Sequence, residues 1–112
     1  MKVYYSTRSL CKACLNTLDG NKKWGKAIAD KVRLRITEFE AASSLGDISK
    51  LPPARCHDLS NNRAGQLSVV LNGNMRLIFM PKHDPVPTLP SGGLDWSRVT
   101  EILILEVIDY HG

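Results

Sequence analysis

The chain has 112 residues, of which 43% are hydrophobic and 23% are charged, a composition typical of a soluble globular protein with one modest core. Its longest apolar run, residues 102–105 (ILIL), is far too short to span a bilayer, and the N-terminus lacks the long apolar stretch of a secretory signal. We therefore expect a single cytoplasmic domain, residues 1–112, that has no membrane partner.

The net charge of +4 is unevenly distributed along the chain. Residues 1–35 carry nine lysines and arginines against two aspartates, whereas residues 36–112 carry six basic and nine acidic side chains. A basic half of this kind indicates either a polyanionic or acidic protein partner, or a helix surface that only keeps the protein soluble. Charge alone does not distinguish these two interpretations.

The three cysteines, an odd number, argue against a complete disulfide framework. Cys11 and Cys14 form a single C-x-x-C pair, and Cys56 with His57 would complete a zinc site only if the fold brought them to that pair. We therefore predict reduced, structural cysteines, no metal site and no other cofactor.

The first half of the chain has helical patterns. Residues 2–5 predict a short strand, and residues 8–18 predict a short helix that we expect to end at Asp19-Gly20-Asn21. The longest helix is predicted for residues 22–42, where apolar side chains recur every three or four positions and form a stripe that we expect to pack in the core. These are Trp24, Ala27, Ile28, Val32, Ile36 and Phe39. The basic side chains of this helix, among them Arg35, are expected on its other sides.

The pattern then changes from helix to sheet. Residues 46–50 predict a helical turn that ends before Pro52-Pro53, and residues 66–71 and 75–80 predict a β-hairpin around Asn72-Gly73-Asn74. A two-residue turn at 72–73 or at 73–74 puts Arg76 on one face with five apolar side chains. They are Leu67, Val69, Leu71, Ile78 and Met80. Because an unpaired buried charge is costly, we favour an anion as the partner of Arg76 over a structural partner.

Residues 81–98 contain four of the six prolines and predict a long surface connection, with His83 and Trp96 in the loop and Trp96 anchoring it to the body. Residues 99–108 predict a strand that is apolar on both faces and therefore central. The elements together predict one α+β domain, with N-terminal helices packed on a small, mainly antiparallel β-sheet.

Candidate catalytic side chains occur before the hairpin, in its second strand and at the end of the last strand. They are Arg55, His57, Arg63, Arg76, Asp109, Tyr110 and His111. No nucleophile elbow, phosphate-binding glycine loop or metal-ligand helix motif is present. Imidazoles, a phenol, a carboxylate and guanidiniums suit metal-free cleavage of RNA. That reaction needs a base for the ribose 2′-OH, an acid for the leaving 5′-oxygen and cations for the phosphate.

Three stretches carry a resemblance to a known family: residues 51–59 (LPPARCHDL), 62–79 (NRAGQLSVVLNGNMRLIF) and 106–111 (EVIDYH). The sequence resembles the RelE/ParE toxin superfamily and, within it, the HigB-like plasmid maintenance killer toxins. The similarity covers most of residues 19–80 and 99–112, and it is specific because all three stretches occur together.

The resemblance implies a RelE-like fold and an endoribonuclease that cuts mRNA on the translating ribosome and is inhibited by a cognate HigA-like antitoxin. By position, His57, Asp109, Tyr110 and His111 match the active site of the family, Arg76 its hairpin arginine and Arg63 its loop cation. The resemblance implies proton transfer by the two histidines and phosphate binding by Arg76 and Arg63, and Arg55 is a further substrate-binding candidate. Asp109 would orient an imidazole, and Tyr110 would position the substrate or stack on a base.

The sequence departs from the family pattern in three places. Met75 replaces the usual aromatic residue before the arginine, which we expect to affect packing. Residues 60–62 (SNN) replace a segment that commonly holds a lysine, which puts the rate or the docking to the ribosome in doubt. Residues 81–98 form a loop insertion longer than the usual turn, and we expect it to alter contacts with the antitoxin or the ribosome.

Two other functions stay open. A ParE-like toxin that poisons DNA gyrase would have the same fold, although such an activity does not need the terminal Tyr-His pair. A non-catalytic module that binds RNA or a partner protein would fit the basic N-terminal part equally well.

Overall fold

The computed structural model describes residues 1–51, 56–59 and 63–110, with only the backbone of His57. The helices are α1 (Arg8–Leu15), α2 (Thr17–Trp24), α3 (Lys26–Ala41) and α4 (Leu45–Ser49). The strands are β1 (Lys2–Tyr5), β2 (His57–Asp58), β3 (Leu67–Val70), β4 (Met75–Pro81) and β5 (Glu101–Asp109). None of the helices in these residues is long and apolar enough to cross a membrane.

The strands form one sheet in the order β1-β5-β4-β3-β2. Among the described strands only β1 and β5 pair in parallel, and the other neighbours are antiparallel. The predicted central strand is confirmed, because β5 lies between β1 and β4. This strand is slightly irregular, since its pairing with β4 shifts register between Ile78 and Phe79.

The predicted boundary between the first two helices is wrong. The chain turns at Asn16, whose side chain accepts a hydrogen bond from the backbone N–H of Asp19 and so caps α2, and α2 continues through Gly20. Gly20 is buried because α2 packs closely on α1 there: an added Cβ would lie 2.6 Å from the carbonyl oxygen of Ala13. The glycine therefore permits close helix packing and does not end the helix.

The predicted long helix is divided at Gly25, whose backbone has φ +81°. Residues 22–24 belong to α2, and α3 begins at Lys26. The expectation that Arg35 lies away from the core is also wrong: only 3% of this residue is exposed. Its Nε donates to the carbonyl oxygen of Val70 at 2.8 Å, and its Nη1 donates to Glu38 at 2.8 Å. Arg35 therefore joins α3 to the end of β3.

The β3–β4 hairpin is confirmed, but its predicted register is wrong. Leu71 N donates to Met75 O, so the loop has three residues, 72–74, and Arg76 pairs with Val70. Because side chains alternate along a strand, this one-residue difference moves Arg76 to the opposite face from Leu67 and Val69. Those two leucine and valine side chains belong to the core, which Arg76 does not join.

The core lies between the helices and one face of the sheet. The rings of Phe39 on α3 and Phe79 on β4 are 4.9 Å apart and both are buried. Val32 and Ile36 extend the core along α3, and Ile102 and Ile104 of β5 belong to the same core. Trp24 is only partly buried at the margin of the core. The prediction that Phe39 belongs to the core is confirmed.

Residues 82–100 connect β4 to β5. Trp96 lies in a 3₁₀ turn (Trp96–Arg98) and packs against the core, which confirms that it anchors the connection. His83 is also attached, because its Nε2 accepts hydrogen bonds from the backbone N–H groups of Thr100 and Glu101 at 3.1 and 3.3 Å. The two ends of the connection are therefore joined at the start of β5.

Candidate functional site

The face of the sheet that does not meet the helices holds the polar residues of interest. We call it the open face and define it by Ser68 and Val70 on β3, Arg76 and Ile78 on β4, and Glu106 and Ile108 on β5. Their register places them in two adjacent rows across the strands. One row is Ser68, Ile78 and Glu106, and the other is Val70, Arg76 and Ile108. These positions alternate with the core positions of the same strands.

His57 lies at the outer end of the first row. The backbone of β2 pairs His57 with Ser68, which pairs in turn with Ile78 and then with Glu106. Three strand spacings, ~14 Å, therefore separate the backbone of His57 from that of Glu106. Because β2 has only two residues, this position depends on its pairing with β3.

Arg63 reaches over this row from the loop that precedes β3. Its Nη1 donates to Gln66 Oε1 at 3.0 Å and to Glu106 Oε2 at 3.1 Å. The Arg63 side chain is 26% exposed and that of Glu106 46%. A cation is thus held over the open face by a side chain of the central strand, in partial contact with solvent.

Arg76 lies in the second row, between Val70 and Ile108. Its Nη1 donates to the carbonyl oxygens of Gly73 and Met75, at 2.7 and 3.0 Å, so the guanidinium turns back toward the hairpin loop. Within the described residues both of these hydrogen bonds use Nη1 alone. A guanidinium has five N–H donors in all, so this arrangement holds Arg76 in place by one nitrogen.

The end of β5 lies beside the same hairpin loop. Asp109 pairs with Met75, and the backbone N–H of Tyr110 donates to the carbonyl oxygen of Asn74 at 2.9 Å. Asp109 is exposed and Tyr110 is half-buried. The structure therefore brings Arg76, Asp109 and Tyr110 to one corner of the sheet. Asp109 pairs with Met75, the residue before Arg76, so the alternation of side chains along the strands puts Asp109 and Arg76 on opposite faces.

The candidate residues thus form two neighbouring groups on the described part of the chain. Arg63 and the backbone of His57 belong to the row of Glu106, and Arg76 lies two residues along β4 from the centre of that row, ~7 Å away. Arg55 and His111 lie outside the described residues, as does the side chain of His57.

Sequence reasoning missed Glu106 and Ser68. Glu106 is a carboxylate in a strand predicted to be apolar on both faces, and that mismatch was the available indication of a special position. Ser68 is fully buried, and its Oγ has no hydrogen-bond partner among the described residues. A buried hydroxyl without a hydrogen-bond partner destabilises the fold, and such groups occur at functional positions.

Two of the three cysteines, Cys14 and Cys56, do not supply a nucleophile at neutral pH. Cys11, Cys14 and Cys56 are all free thiols. Burial raises the pKa of the Cys14 thiol to about 12. Burial and the neighbouring Asp58 carboxylate raise the pKa of the Cys56 thiol to about 12 as well. Since the thiolate is the reactive form, Cys14 and Cys56 are inert side chains. In the described residues no cluster of three or more potential metal ligands occurs.

The arrangement is suited to holding an anion. One guanidinium approaches the open face from the loop before β3 and the other from β4, and Arg side chains bind phosphate oxygens through several N–H donors at once. Glu106 neutralises part of the charge of Arg63 in the absence of a ligand. Tyr110, whose backbone N–H is bonded to the hairpin loop, carries a phenol ring on which a base could stack.

No family model matches the sequence, and no curated protein matches it. Among solved structures, a YoeB/ParE toxin from Agrobacterium tumefaciens is similar, with a TM-score of 0.57 over 99% of this chain and 100% of that chain. The sequence identity is 10%, so the similarity establishes the fold alone. The predicted α+β architecture, with helices on a mainly antiparallel sheet, is therefore confirmed as the fold of a YoeB/ParE toxin.

Proposed function

We propose that this protein is the toxin of a type II toxin–antitoxin system and acts as a ribosome-dependent mRNA endoribonuclease of the HigB-like kind. The observation that carries the proposal is the pair of guanidiniums on the open face, Arg63 at the row of His57 and Arg76 beside the end of β5. The fold shared with a YoeB/ParE toxin supports the same conclusion.

In this proposal the cations bind the scissile phosphate, while His57 and His111 transfer protons to and from the ribose and the leaving oxygen. Each proton transfer contributes about 10²–10⁴-fold. Asp109 orients an imidazole, Tyr110 positions the substrate and Arg55 is a further phosphate contact. The site presents few groups that read bases, so the ribosome would align the mRNA for cleavage.

The direct test is to add the purified protein to a translation extract and map cut sites in the mRNA. We expect cleavage of ribosome-bound mRNA and much slower cleavage of the same RNA without ribosomes. His111→Ala should abolish cleavage while the protein stays folded. Equal cleavage of free and ribosome-bound RNA would contradict ribosome dependence, and a wild-type rate in His111→Ala would remove that residue from the mechanism.

The same samples distinguish the alternative functions. Inhibition of gyrase supercoiling without cut mRNA would indicate a gyrase poison, and arrest of translation without cut mRNA would indicate a binding module.

The proposed partners are the ribosome, mRNA and an antitoxin that resembles HigA. Co-expression with a neighbouring small reading frame, followed by pull-down, should recover the complex, and recovery of the toxin alone would count against this antitoxin.

A further inference from the structure

The hydroxyl of Ser68 is a buried polar group in the candidate site that the proposed mechanism does not use. The residue is fully buried, and its Oγ has no hydrogen-bond partner in the part of the chain that the structure describes. Its neighbours along β3, Leu67 and Val69, are apolar and belong to the core. Packing alone would favour a β-branched residue at position 68, because such side chains suit strands and a buried hydroxyl without a hydrogen bond destabilises a protein. The serine therefore indicates a polar partner on the open face.

The strand register identifies the residue that can be this partner. Ser68 is paired with His57 on β2 and with Ile78 on β4. The side chain of Ile78 has no polar atom. Residues that pair across antiparallel strands lie on the same face of the sheet, with their Cβ atoms ~4.5–5.5 Å apart. At that spacing the imidazole of a histidine can reach the hydroxyl of the serine opposite, so His57 is the paired neighbour that can form a hydrogen bond with Ser68.

Such a hydrogen bond has a chemical consequence for an imidazole. The partner of one ring nitrogen determines which of the two nitrogens carries the proton in the neutral form. When Nδ1–H donates to an oxygen, Nε2 has no proton and can accept one from a substrate. A carboxylate that holds a catalytic histidine in the correct tautomer is worth about 10⁴-fold in rate. A hydroxyl is uncharged and is therefore a weaker partner.

We propose that Ser68 is a positioning residue for His57: its Oγ accepts a hydrogen bond from Nδ1–H of the imidazole and leaves Nε2 free to act as the general base. Nε2 then takes the proton of the ribose 2′-OH, and the imidazolium that forms keeps its hydrogen bond to Ser68. The leaving 5′-oxygen takes its proton from His111. The inference rests on the proposed nuclease function and extends it, because it assigns the base and the group that orients it.

The tautomer of His57 tests the contact without any cleavage assay. Nitrogen-15 NMR spectra distinguish an Nδ1–H imidazole from an Nε2–H imidazole, and His57→Ala identifies the signals that belong to His57. At about pH 8.5, where an ordinary histidine is neutral, the wild type should show the Nδ1–H form. Ser68→Ala should show the Nε2–H form, which free histidine prefers. Ser97→Ala is the control, because it removes an exposed hydroxyl that is bonded to Asp95, and it should leave the His57 signals unchanged.

Cleavage of ribosome-bound mRNA provides a second measurement. Ser68→Ala should cleave about 10–100-fold more slowly, the range that applies when the outer hydrogen-bond partner of a metal-bound histidine is removed. Ser68→Cys should lose a similar factor, because a thiol is close in size to the hydroxyl but is a weak acceptor. Ser97→Ala should cleave at the wild-type rate. Thermal melting of each variant shows that it is folded.

A second background shows whether Ser68 acts through the imidazole. In His57→Ala, the further substitution Ser68→Ala should change the residual rate by less than about twofold. An equal loss in both backgrounds would mean that Ser68 contacts the substrate itself, which would overturn the positioning role. An unchanged His57 tautomer in Ser68→Ala would overturn it too, even if the protein cuts mRNA. A changed tautomer in a protein that cuts no mRNA would support the hydrogen bond while the nuclease proposal fails.

Discussion

Arg63 and Glu106 meet on the open face of the sheet although they are 43 positions apart in the chain, with Nη1 and Oε2 3.1 Å from each other. The contact links the loop before β3 to the central strand β5. It therefore determines where the loop cation lies relative to the rest of the candidate site.

We predict a measurable but small coupling free energy for this pair. Both side chains are partly exposed, so a double-mutant cycle with Arg63→Gln and Glu106→Gln should give about 0.2–1 kcal/mol at low ionic strength. Because salt screens such pairs, the coupling measured by urea unfolding should nearly vanish in 1 M salt. Additive effects of the two substitutions at low salt would show that the pair does not hold Arg63 in place.

Replacing the hairpin arginine should affect activity far more than folding. Arg76→Ala removes a cation from the open face and two hydrogen bonds to the loop, each worth about 1 kcal/mol. We expect cleavage in the translation extract to fall by about 10²–10³-fold, as for the loss of one donor to a developing negative charge. Arg98→Ala, at an exposed arginine paired with Asp95, is the control and should cleave normally. Near-normal cleavage by Arg76→Ala would exclude its proposed role.

The close approach of α1 and α2 makes Gly20 sensitive to a single added methyl group. Gly20→Ala would place a Cβ 2.6 Å from a backbone oxygen, so we expect a loss of about 1–3 kcal/mol in the free energy of unfolding, even though alanine favours helix. Gly93→Ala, where nothing lies within 4 Å of the added Cβ, should change stability little. Chemical denaturation of both variants checks the difference, and equal stabilities would contradict the packing argument.

Stability should decline at alkaline pH. The Cys14 and Cys56 thiols have folded pKa values of about 12 against an ordinary value of 9.0. Below pH 9 both thiols are neutral in the folded and unfolded states. As the pH rises from about 9 to 12 the unfolded chain loses these protons first, so the unfolded state is favoured. Burial also raises the pKa of Tyr5, which acts in the same direction.

The check is the urea midpoint measured from pH 8 to pH 10.5. The double variant Cys14→Ala and Cys56→Ala should show a shallower decline than the wild type, whatever its stability at pH 8. Parallel declines in the two proteins would mean that these thiols do not titrate in the unfolded state alone.

Long-range features of the fold followed from hydrophobic patterns. Residues 99–108 are largely apolar at alternate and adjacent positions, which predicted a strand in the sheet interior, and β5 does lie between β1 and β4. Phe39 lay in a helical apolar stripe and was correctly predicted to be buried. Arg63, Arg76, Asp109 and Tyr110 could be proposed as site residues from residue type and resemblance, but not their mutual positions.

The errors came from local choices that tertiary packing decides. Asn72-Gly73 is compatible with two- and three-residue loops, and the choice reverses every side chain of β4 relative to β3. Gly20 and Asn16 are both plausible helix ends, and only the contact with α1 shows that the glycine is interior. The partner of Glu106 was unpredictable for a similar reason, since it depends on where the fold places Arg63.

The position of β5 has a consequence for the order in which the molecule can assemble. Residues 101–109 pair with both the first strand and β4, so a nascent polypeptide that ends before residue 101 leaves two unpaired strand edges and lacks half of the candidate site. Exposed edges of this kind promote association between chains. The sheet therefore closes only once residues 101–109 have been synthesised.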